Sequence, residues 1–487
     1  MMIFPMVFYN PVERYIVGIW GDDFAGIGTL TVLLAFESVL LGSLEARRIG
    51  FVGPGCVGTV KLLNRTIAWT EKGFEWHTDT KHSTGVCEKL GLKESSTTQA
   101  TPGSRDAGVG LRDGEDYLTG EEKGLYASCA GSLLYHALDR PDLQFTVGRL
   151  MSALTAPCRK HVALLKQVCR YLVTRPGAAW KFYYQEWPSM LTVLADADWA
   201  ANTETRRSTD CVHIYLGGHL LESTSCSQQL VALSSGESEF YGVIRGAAAG
   251  IQIKELLGEM GIIVKLKVLT DSSAARGMVR RSGSGRVKHI EARFLWLQEK
   301  VRDNYLEVDR IDTSHNTADL GTKFHSRATL QSLVAMMPVV YGRLEPGGLP
   351  LSLLRGLSVA ALVTAVEGQK YTNDFEEDSG GSSLPFVVFS VALFLGGLLF
   401  GCYFRRQRPK QVSCGVQVGG EQRERLARLF TENMLKDVTN QSLRRLALFL
   451  GKDPGRGASK EALIDAIMLT GRVREDNVHE MLMEALR

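Results

Sequence analysis

A mixed α/β fold, one sheet flanked by helices, is what the sequence predicts for residues 190–335. Three observations carry that expectation. Short β-type apolar runs at Leu191–Ala195, Val212–Leu216, His219–Ser223, Leu266–Thr270 and Leu306–Ile311 are interleaved with helical stretches rather than grouped apart. Gly217-Gly218 separates the second and third runs, as a tight hairpin requires. From about Ser235 to Met260, the residues Phe240, Val243, Ile244, Ala247 and Ile251 fall on one helical face, and Gly261 supplies the stop.

The elements follow in order. The run Leu191–Ala195 ends at Asp196, and Leu266–Thr270 ends at Asp271. Ile290, Phe294, Leu297 and Val301 mark a further amphipathic helix, and a last short helix holds Asn316-Thr317-Ala318-Asp319. Upstream, Ile16–Trp20 precedes Gly21-Asp22-Asp23-Phe24, and Leu62–Trp69 reads as another strand. Residues 93–120, rich in Gly, Ser, Thr and Asp, read as a linker. Helical spacing runs from Tyr126 to Tyr171, for example at Val162, Leu165, Val168 and Leu172. Downstream, Leu384–Phe404 carries no charge and has the length of about 20 residues that a bilayer span needs. Arg405, Arg406, Arg408 and Lys410 follow it and predict a cytoplasmic C-terminal flank. Leu349–Val366 is a weaker second span, interrupted by Arg355. Residues 421–487 are helical in pattern, with Gly451 as a helix end and Ser459 as an N-cap.

Composition sets the outer bounds. A chain of 487 residues suggests about three domains, and 45% hydrophobic with 22% charged residues is ordinary globular usage. A formal net charge of +3 announces no polyanionic partner, so any nucleic-acid surface must be local. Nine scattered cysteines, none spaced Cys-x-x-Cys, argue against a zinc site or a disulfide framework and for a reducing compartment. The apolar N-terminus lacks a basic segment and does not read as a signal peptide.

Asp196 and Asp271 at strand ends, Glu239 on the long helix and Asp319 near the last one form a candidate carboxylate set. Two-metal phosphodiester hydrolysis needs such a set, with ions roughly 4 Å apart, one activating water and one stabilising the leaving oxygen. Magnesium takes oxygen ligands and usually only one or two carboxylates per ion, so four acids suit two ions. Ser234 and Glu237 have capping-box spacing, which gives Glu237 a structural task and leaves Glu239 as the ligand candidate. Any one of these acids taken alone reads better as a solvated surface group than as a ligand.

Asp196-Ala-Asp-Trp-Ala200, Arg206-Arg-Ser-Thr209, Ala232-Leu-Ser-Ser-Gly-Glu-Ser-Glu-Phe240, Thr270-Asp-Ser-Ser-Ala274, Lys288-His-Ile-Glu-Ala-Arg-Phe294 and Ala318-Asp-Leu-Gly-Thr-Lys323 occur in one order. Together they resemble the ribonuclease H of copia-type retrotransposon Pol polyproteins. The resemblance implies a ribonuclease H-like fold that cuts the RNA strand of an RNA–DNA hybrid. It carries Asp196, Glu239, Asp271 and Asp319 over as catalytic, metal-holding residues, with Asp198 as a neighbour, and implies two Mg²⁺ ions, with Mn²⁺ as the substitute.

Upstream, Tyr126–Tyr135 and Arg140-Pro-Asp-Leu143 resemble the segment that joins reverse transcriptase to ribonuclease H. Gly21-Asp22-Asp23-Phe24 resembles the paired-aspartate turn of the polymerase palm. Only residues 1–21 precede Asp22, so the strand bearing the further palm aspartate is missing and polymerase activity is not expected. The implied organisation is a truncated reverse transcriptase palm and thumb remnant with linker (1–120), a helical connection (121–189), the ribonuclease H-like domain (190–335), a linker (336–383), a transmembrane helix (384–404) and a helical tail (405–487). Within the nuclease, Gly236, Ser272 and Leu295 depart from the family's usual residues. Gly321 interrupts the last helix, a cost of about 1 kcal/mol relative to Ala.

Arg276, Arg280, Arg281, Arg286, Lys288 and His289 form a basic stretch that reads as a hybrid-binding loop or as a solvated one. Arg206 and Arg207 are a second candidate for phosphate contact. His315 reads as an aid to proton transfer or as a surface histidine. The C-terminal helices read as a nucleic-acid module or a small bundle. The whole reading is an RNA–DNA hybrid endoribonuclease, membrane-associated through residues 384–404 or else cytoplasmic or nuclear. The alternative is a catalytically decayed, retroelement-derived nucleic-acid-binding protein on a membrane.

Overall fold

The computed structural model describes residues 2–4, 7–20, 23–44, 46–54, 56, 59–107, 116–186, 188–202, 205–283, 285, 294–344, 443, 447–448, 450 and 459–468. Both candidate membrane spans, 349–366 and 384–404, lie outside the described residues, and no helix among those described is long and apolar enough to cross a membrane. Contacts divide the chain into two units, Met1–Ile49 with Val412–Arg487, and Gly50–Gln411.

In the first unit, β1 (Met2–Phe4), β2 (Val7–Asn10), β3 (Tyr15–Trp20) and β4 (Asp23–Ile27) form an antiparallel meander in that order, followed by α1 (Leu30–Ser43). Trp20 pairs with Asp23, so Asp23 opens β4 at a hairpin end, while Asp22 lies outside the described residues.

The second unit contains two sheets. The first is built from β5 (Thr59–Leu62), β6 (Arg65–Thr70), β7 (Gly73–His77), β8 (Gly177–Tyr183) and β14 (Val339–Gly342), in the order β14-β8-β7-β6-β5 and antiparallel throughout. It draws on three stretches that the sequence reading separates. The strand expected over Leu62–Trp69 is present from Arg65 as β6, while Leu62 ends the preceding strand β5, with which β6 forms a hairpin. Leu63 (φ 48°) and Asn64 (φ 64°) both enter the left-handed region that a two-residue turn of this hand demands. Helices α2 (Lys81–Lys89), α3 (Gly120–Ala137), α4 (Pro141–Ser152) and α5 (Arg159–Leu172) accompany this sheet. Their core holds a buried polar knot: Arg140 makes a two-pronged ion pair with Asp142, donates to the Arg175 carbonyl, and lies 4.8 Å from the Tyr341 ring centroid. Tyr171 donates to the same Asp142 carboxylate, and Arg65 pairs with buried Asp139. Breaking one partner of such a pair costs about 3–5 kcal/mol, because the other charge is left unpaired in the interior.

The stretch read as a linker over 93–120 does not behave as one throughout. Pro102 and Gly103 are buried, and a Cβ at Gly103 would lie 2.5 Å from the Phe324 ring. The Gln99 N–H reaches the Arg170 carbonyl, so this strap is packed on the helices.

The other sheet has the order β11-β10-β9-β12-β13, from β9 (Met190–Asp198), β10 (Thr209–Leu216), β11 (His219–Ser227), β12 (Lys265–Thr270) and β13 (Glu307–Arg310). The first three are antiparallel, with Leu216 facing His219 across the Gly217-Gly218 turn. β12 runs parallel to β9, and β13 parallel to β12. Between them lie α6 (Ser235–Glu259), α7 (Ser273–Arg280) and α8 (Trp296–Arg302), and α9 (Arg327–Ala335) follows. In the first unit, α10 (Lys460–Met468) begins where the Ser459 hydroxyl accepts from the Ala462 N–H.

Helix α6 packs across β9, β10 and β12, burying Phe240, Val243, Ala247 and Leu257 at about 1.5–3 kcal/mol for each large side chain. Its glycines at 242, 246 and 250 recur every fourth residue and face the sheet. A Cβ at Gly250 would stand 2.8 Å from both Leu266 and Val193. The missing side chains let the helix lie close over β9, which brings its first turn beside Asp196. Gly261 (φ 77°) ends the helix, with the Ile262 N–H returning to the Leu257 carbonyl.

Candidate metal centre

Asp196 sits within β9 rather than at its end, because the strand continues to Asp198 and pairs Asp196 with Cys211 of β10. Asp271 follows the last residue of the neighbouring parallel strand β12, and Glu239 rides on the first turns of α6. One carboxylate oxygen from each of the three lies within 4.8 Å of the others. Both carboxylate oxygens of Glu237 are engaged, by the Leu233 N–H at the helix entry and by the Tyr241 hydroxyl. Glu239 Oε2, in contrast, is buried with no hydrogen-bond partner. The backbone N–H of Ala197 steadies Glu239.

Asp319, buried in the turn Thr317–Gly321, stands beside this trio. Its negative charge is the largest electrostatic cause, after burial, of the raised proton affinity of Asp196. Burial together with Asp319 and Asp271 pushes Asp196 up to about 7, against the pull of the Thr322 hydroxyl and Lys323. Burial first, then Asp196 and Asp271, pushes Glu239 up to about 9. Crowded carboxylates of this kind carry more negative charge than the nearby Lys323 ammonium offsets, and a divalent cation is the group that supplies the remainder. The trio, with its unpartnered buried oxygen, fits an oxygen-seeking divalent ion.

Several residues around the acids escaped the sequence reading. The Thr322 hydroxyl donates to Asp196 Oδ2 at 2.7 Å, and the Thr313 hydroxyl donates to Asp271 Oδ2 at 2.6 Å. The Lys323 ammonium forms an ion pair with Asp319 Oδ1. His325 Nε2 lies 2.8 Å from the Asp319 carbonyl oxygen. His213, driven down to about 3 by burial, shares a hydrogen bond with the Thr317 hydroxyl under the turn. Thr322 and Lys323 belong to the motif Ala318–Lys323, so their presence was legible, but nothing local told which carboxylate each would hold. Asp198 is half-buried and raised by burial, with Lys323 and Arg105 opposing; it stands outside the trio. His315 is exposed on the turn Thr313–His315, beside the Ser314 hydroxyl.

Gly321 proves to be a packing requirement rather than a flaw in a helix. The segment is a 3₁₀ turn, and a Cβ there would lie 2.5 Å from Cys211 Sγ and 3.2 Å from Ser225 Cβ. Gly236 likewise makes room for Ala274, whose Cβ lies 2.8 Å from where its own would be.

Among the basic candidates, Arg206 and Arg207 are exposed in the turn between β9 and β10, where Arg206 adopts φ 58°. The Arg206 guanidinium lies 6.0 Å from the Trp199 ring centroid, and the indole N–H of Trp199 donates to the Ala232 carbonyl. Arg280 is turned to β13, near Asp309 and the Val308 carbonyl, and the charge of Arg276 acts on the same Asp309. Arg281 closes α7, while Arg286, Lys288 and His289 lie outside the described residues. Among the described residues Cys56, Cys87, Cys129, Cys158, Cys169, Cys211 and Cys226 are all free thiols.

An acidic centre suited to divalent ions, mounted on the middle strands of a mixed α/β sheet, is the class of site that this geometry defines. No protein-family model matches the chain. It is 33% identical over 213 residues to the retrovirus-related Pol polyprotein from transposon TNT 1-94 of Nicotiana tabacum, which covers 42% of this chain and 16% of that one. It is 30% identical over 217 residues to the Pol polyprotein from transposon RE1 of Arabidopsis thaliana, covering 44% and 15%. The chain thus spans about a sixth of the length of these relatives. It is also 37% identical over 116 residues to secreted RxLR effector protein 161 of Plasmopara viticola, covering 24% of this chain and 81% of that one. Among solved structures, the N-terminal RNase H domain of rv2228c from Mycobacterium tuberculosis matches 30% of the chain at 14% identity and a TM-score of 0.19, too low to add to the case. The chain's relatives thus include the copia-type retrovirus-related Pol polyproteins of plant transposons, each matched over a small part of its length.

Proposed function

We propose that residues 190–335 form a ribonuclease H-like domain that hydrolyses the RNA strand of an RNA–DNA hybrid with divalent metal, Mg²⁺ or Mn²⁺. The observation that supports this most is the approach of Asp196, Glu239 and Asp271 from three separate stretches of chain, with Asp319 beside them. The strand order, three antiparallel strands followed by two parallel to the first, is in keeping with that fold.

The roles of the chain's own groups follow from their contacts. Asp196, Glu239 and Asp271 offer the oxygens that hold metal. Thr322 and Thr313 fix the rotamers of Asp196 and Asp271 by donating to one oxygen of each, leaving the other oxygen to a ligand. The β9 backbone orients Glu239 through Ala197, and Asp319 completes the anionic wall. Divalent ions, when bound, supply an activated water and charge stabilisation at the leaving oxygen. Arg206 and Arg207 take phosphate, and the Trp199 ring gives the strand an apolar surface beside them.

The full chain, incubated with end-labelled hybrid and Mg²⁺ beside Asp196→Asn, is expected to cut the RNA strand while the variant does not. Wild-type cleavage no greater than that of the variant ends the nuclease reading. Tight hybrid binding without cleavage would assign the chain as a decayed nucleic-acid-binding relic.

A further inference from the structure

Three cysteines far apart in sequence meet among the helices of the second unit. Cys87 near the end of α2, Cys129 on α3 and Cys169 on α5 are all buried, and charge on Cys87 would be felt by both of the others. Cys87 and Cys169 touch. Cys87 Sγ donates to the Cys169 backbone carbonyl at 3.5 Å, across 82 positions of chain, and the Cys169 thiol donates to Cys87 Sγ. That second bond holds Cys87 below the ordinary thiol range, against burial and the charge of Glu88. Cys87 keeps 8% of its surface open, whereas Cys129 and Cys169 keep none. The backbone around the pair is already tied: the Ser83 hydroxyl of α2 donates to the Pro176 carbonyl beyond α5. Cys211 and Cys226 give the contrast. They lie on adjacent strands, but Cys211 pairs with Ser225 and Cys226 with Asp210, so their side chains leave opposite faces of the sheet.

A single buried thiol behaves as a small apolar side chain; two in contact can do more. We propose that Cys87 and Cys169 are an oxidisable dithiol, a modification site at which a hydroperoxide forms a disulfide that staples α2 to α5. Cys87, the more open of the two, reacts first. Its sulfur attacks one peroxide oxygen and the O–O bond breaks. The other oxygen leaves with the Cys87 proton, as alcohol or water. The sulfur is thereby oxidised to a sulfenic acid while the peroxide is reduced. Cys169 sulfur then attacks Cys87 Sγ: the S–S bond forms, the S–O bond breaks, and hydroxide takes the Cys169 proton and departs as water. A dithiol and ROOH thus give a disulfide, ROH and water. Thiol reductants reverse the bond, which suits a reducing compartment. A link that closes so long a loop restricts the unfolded chain, so the oxidised form resists unfolding more than the reduced one. Neither metal nor nucleic acid takes part.

The test treats the full folded chain, reduced and then freed of reductant, with stoichiometric hydrogen peroxide. Remaining thiols are blocked with iodoacetamide in denaturant, and the digest is read by mass spectrometry. A peptide pair joined through Cys87 and Cys169, short of two hydrogens, is expected in wild type and in Cys129→Ala, and is expected to vanish after dithiothreitol. Folded wild type without a Cys87–Cys169 link overturns the proposal, whether both thiols are alkylated, Cys87 is joined to Cys129, or Cys87 ends as a sulfinic or sulfonic acid. A second readout needs no variant. The denaturant midpoint of the oxidised chain is expected to lie above that of the reduced chain and to return when dithiothreitol is added. Equal midpoints in the two states overturn the staple.

Discussion

At the scale of single residues, the crowding of Asp196 and Glu239 makes stability depend on pH. Asp196 is pushed up to about 7 and Glu239 up to about 9, both above the usual carboxylate range near 4 that an unfolded chain shows. The fold therefore binds these protons more tightly than the unfolded chain does. Their contribution is fully present below about pH 4 and is lost as pH rises through about 7 and then about 9. Metal-free protein is expected to show a falling melting temperature across that window. Asp196→Asn should flatten its lower part, and added Mg²⁺ should restore stability most at the alkaline end. A melting temperature that is level from pH 5 to 9 would contradict the crowding. Gly321 gives a second test. Gly321→Ala forces a methyl group against Cys211 Sγ and should destabilise by about 1–3 kcal/mol in denaturant unfolding, although Ala has the higher helix propensity.

At the scale of elements, the hairpin β5–β6 turns on Leu63 and Asn64, both left-handed. A branched apolar residue at φ 48° carries part of a 1–2 kcal/mol penalty, roughly, that Asn relieves, so Leu63→Asn should stabilise by about 0.5–1 kcal/mol in the same assay. The turn also shows why this hairpin was hidden. Leu-Asn lacks the glycine signature, so nothing in the residues of 62–69 marks a turn between two strands. By contrast, Gly217-Gly218, the face of α6 and the stop at Gly261 announce their elements by rules that need no tertiary contact. The same holds for Ser234 and Glu237, whose capping spacing separated Glu237 from Glu239 before any coordinates. What sequence could not show is proximity: that Lys323 lies over Asp319, that Thr313 reaches Asp271, or that Gly103, within the stretch rich in small polar residues, lies against Phe324. Composition marks a segment as loop-like but says nothing of what covers it. Gly321 was misread for the same reason, since only its neighbour Cys211 explains it.

At the scale of the molecule, the first sheet joins the two halves of the second unit. β14 adds to the free edge of β8 and brings the Tyr341 ring onto Arg140, so the polar knot is closed only when the chain extends through about residue 342. A chain ending after residue 335 is expected to unfold at lower denaturant than one ending after residue 344, and to be cut sooner by protease in the α3–α5 region. Equal resistance in the two would show that β14 is dispensable. The sequence separation has a kinetic side too. β14 is made more than 150 residues after its partner β8, and such distant pairing is slow to form. While a ribosome is still producing residues 190–335, β8 presents a row of unsatisfied amide and carbonyl groups, the kind of template on which nascent chains aggregate.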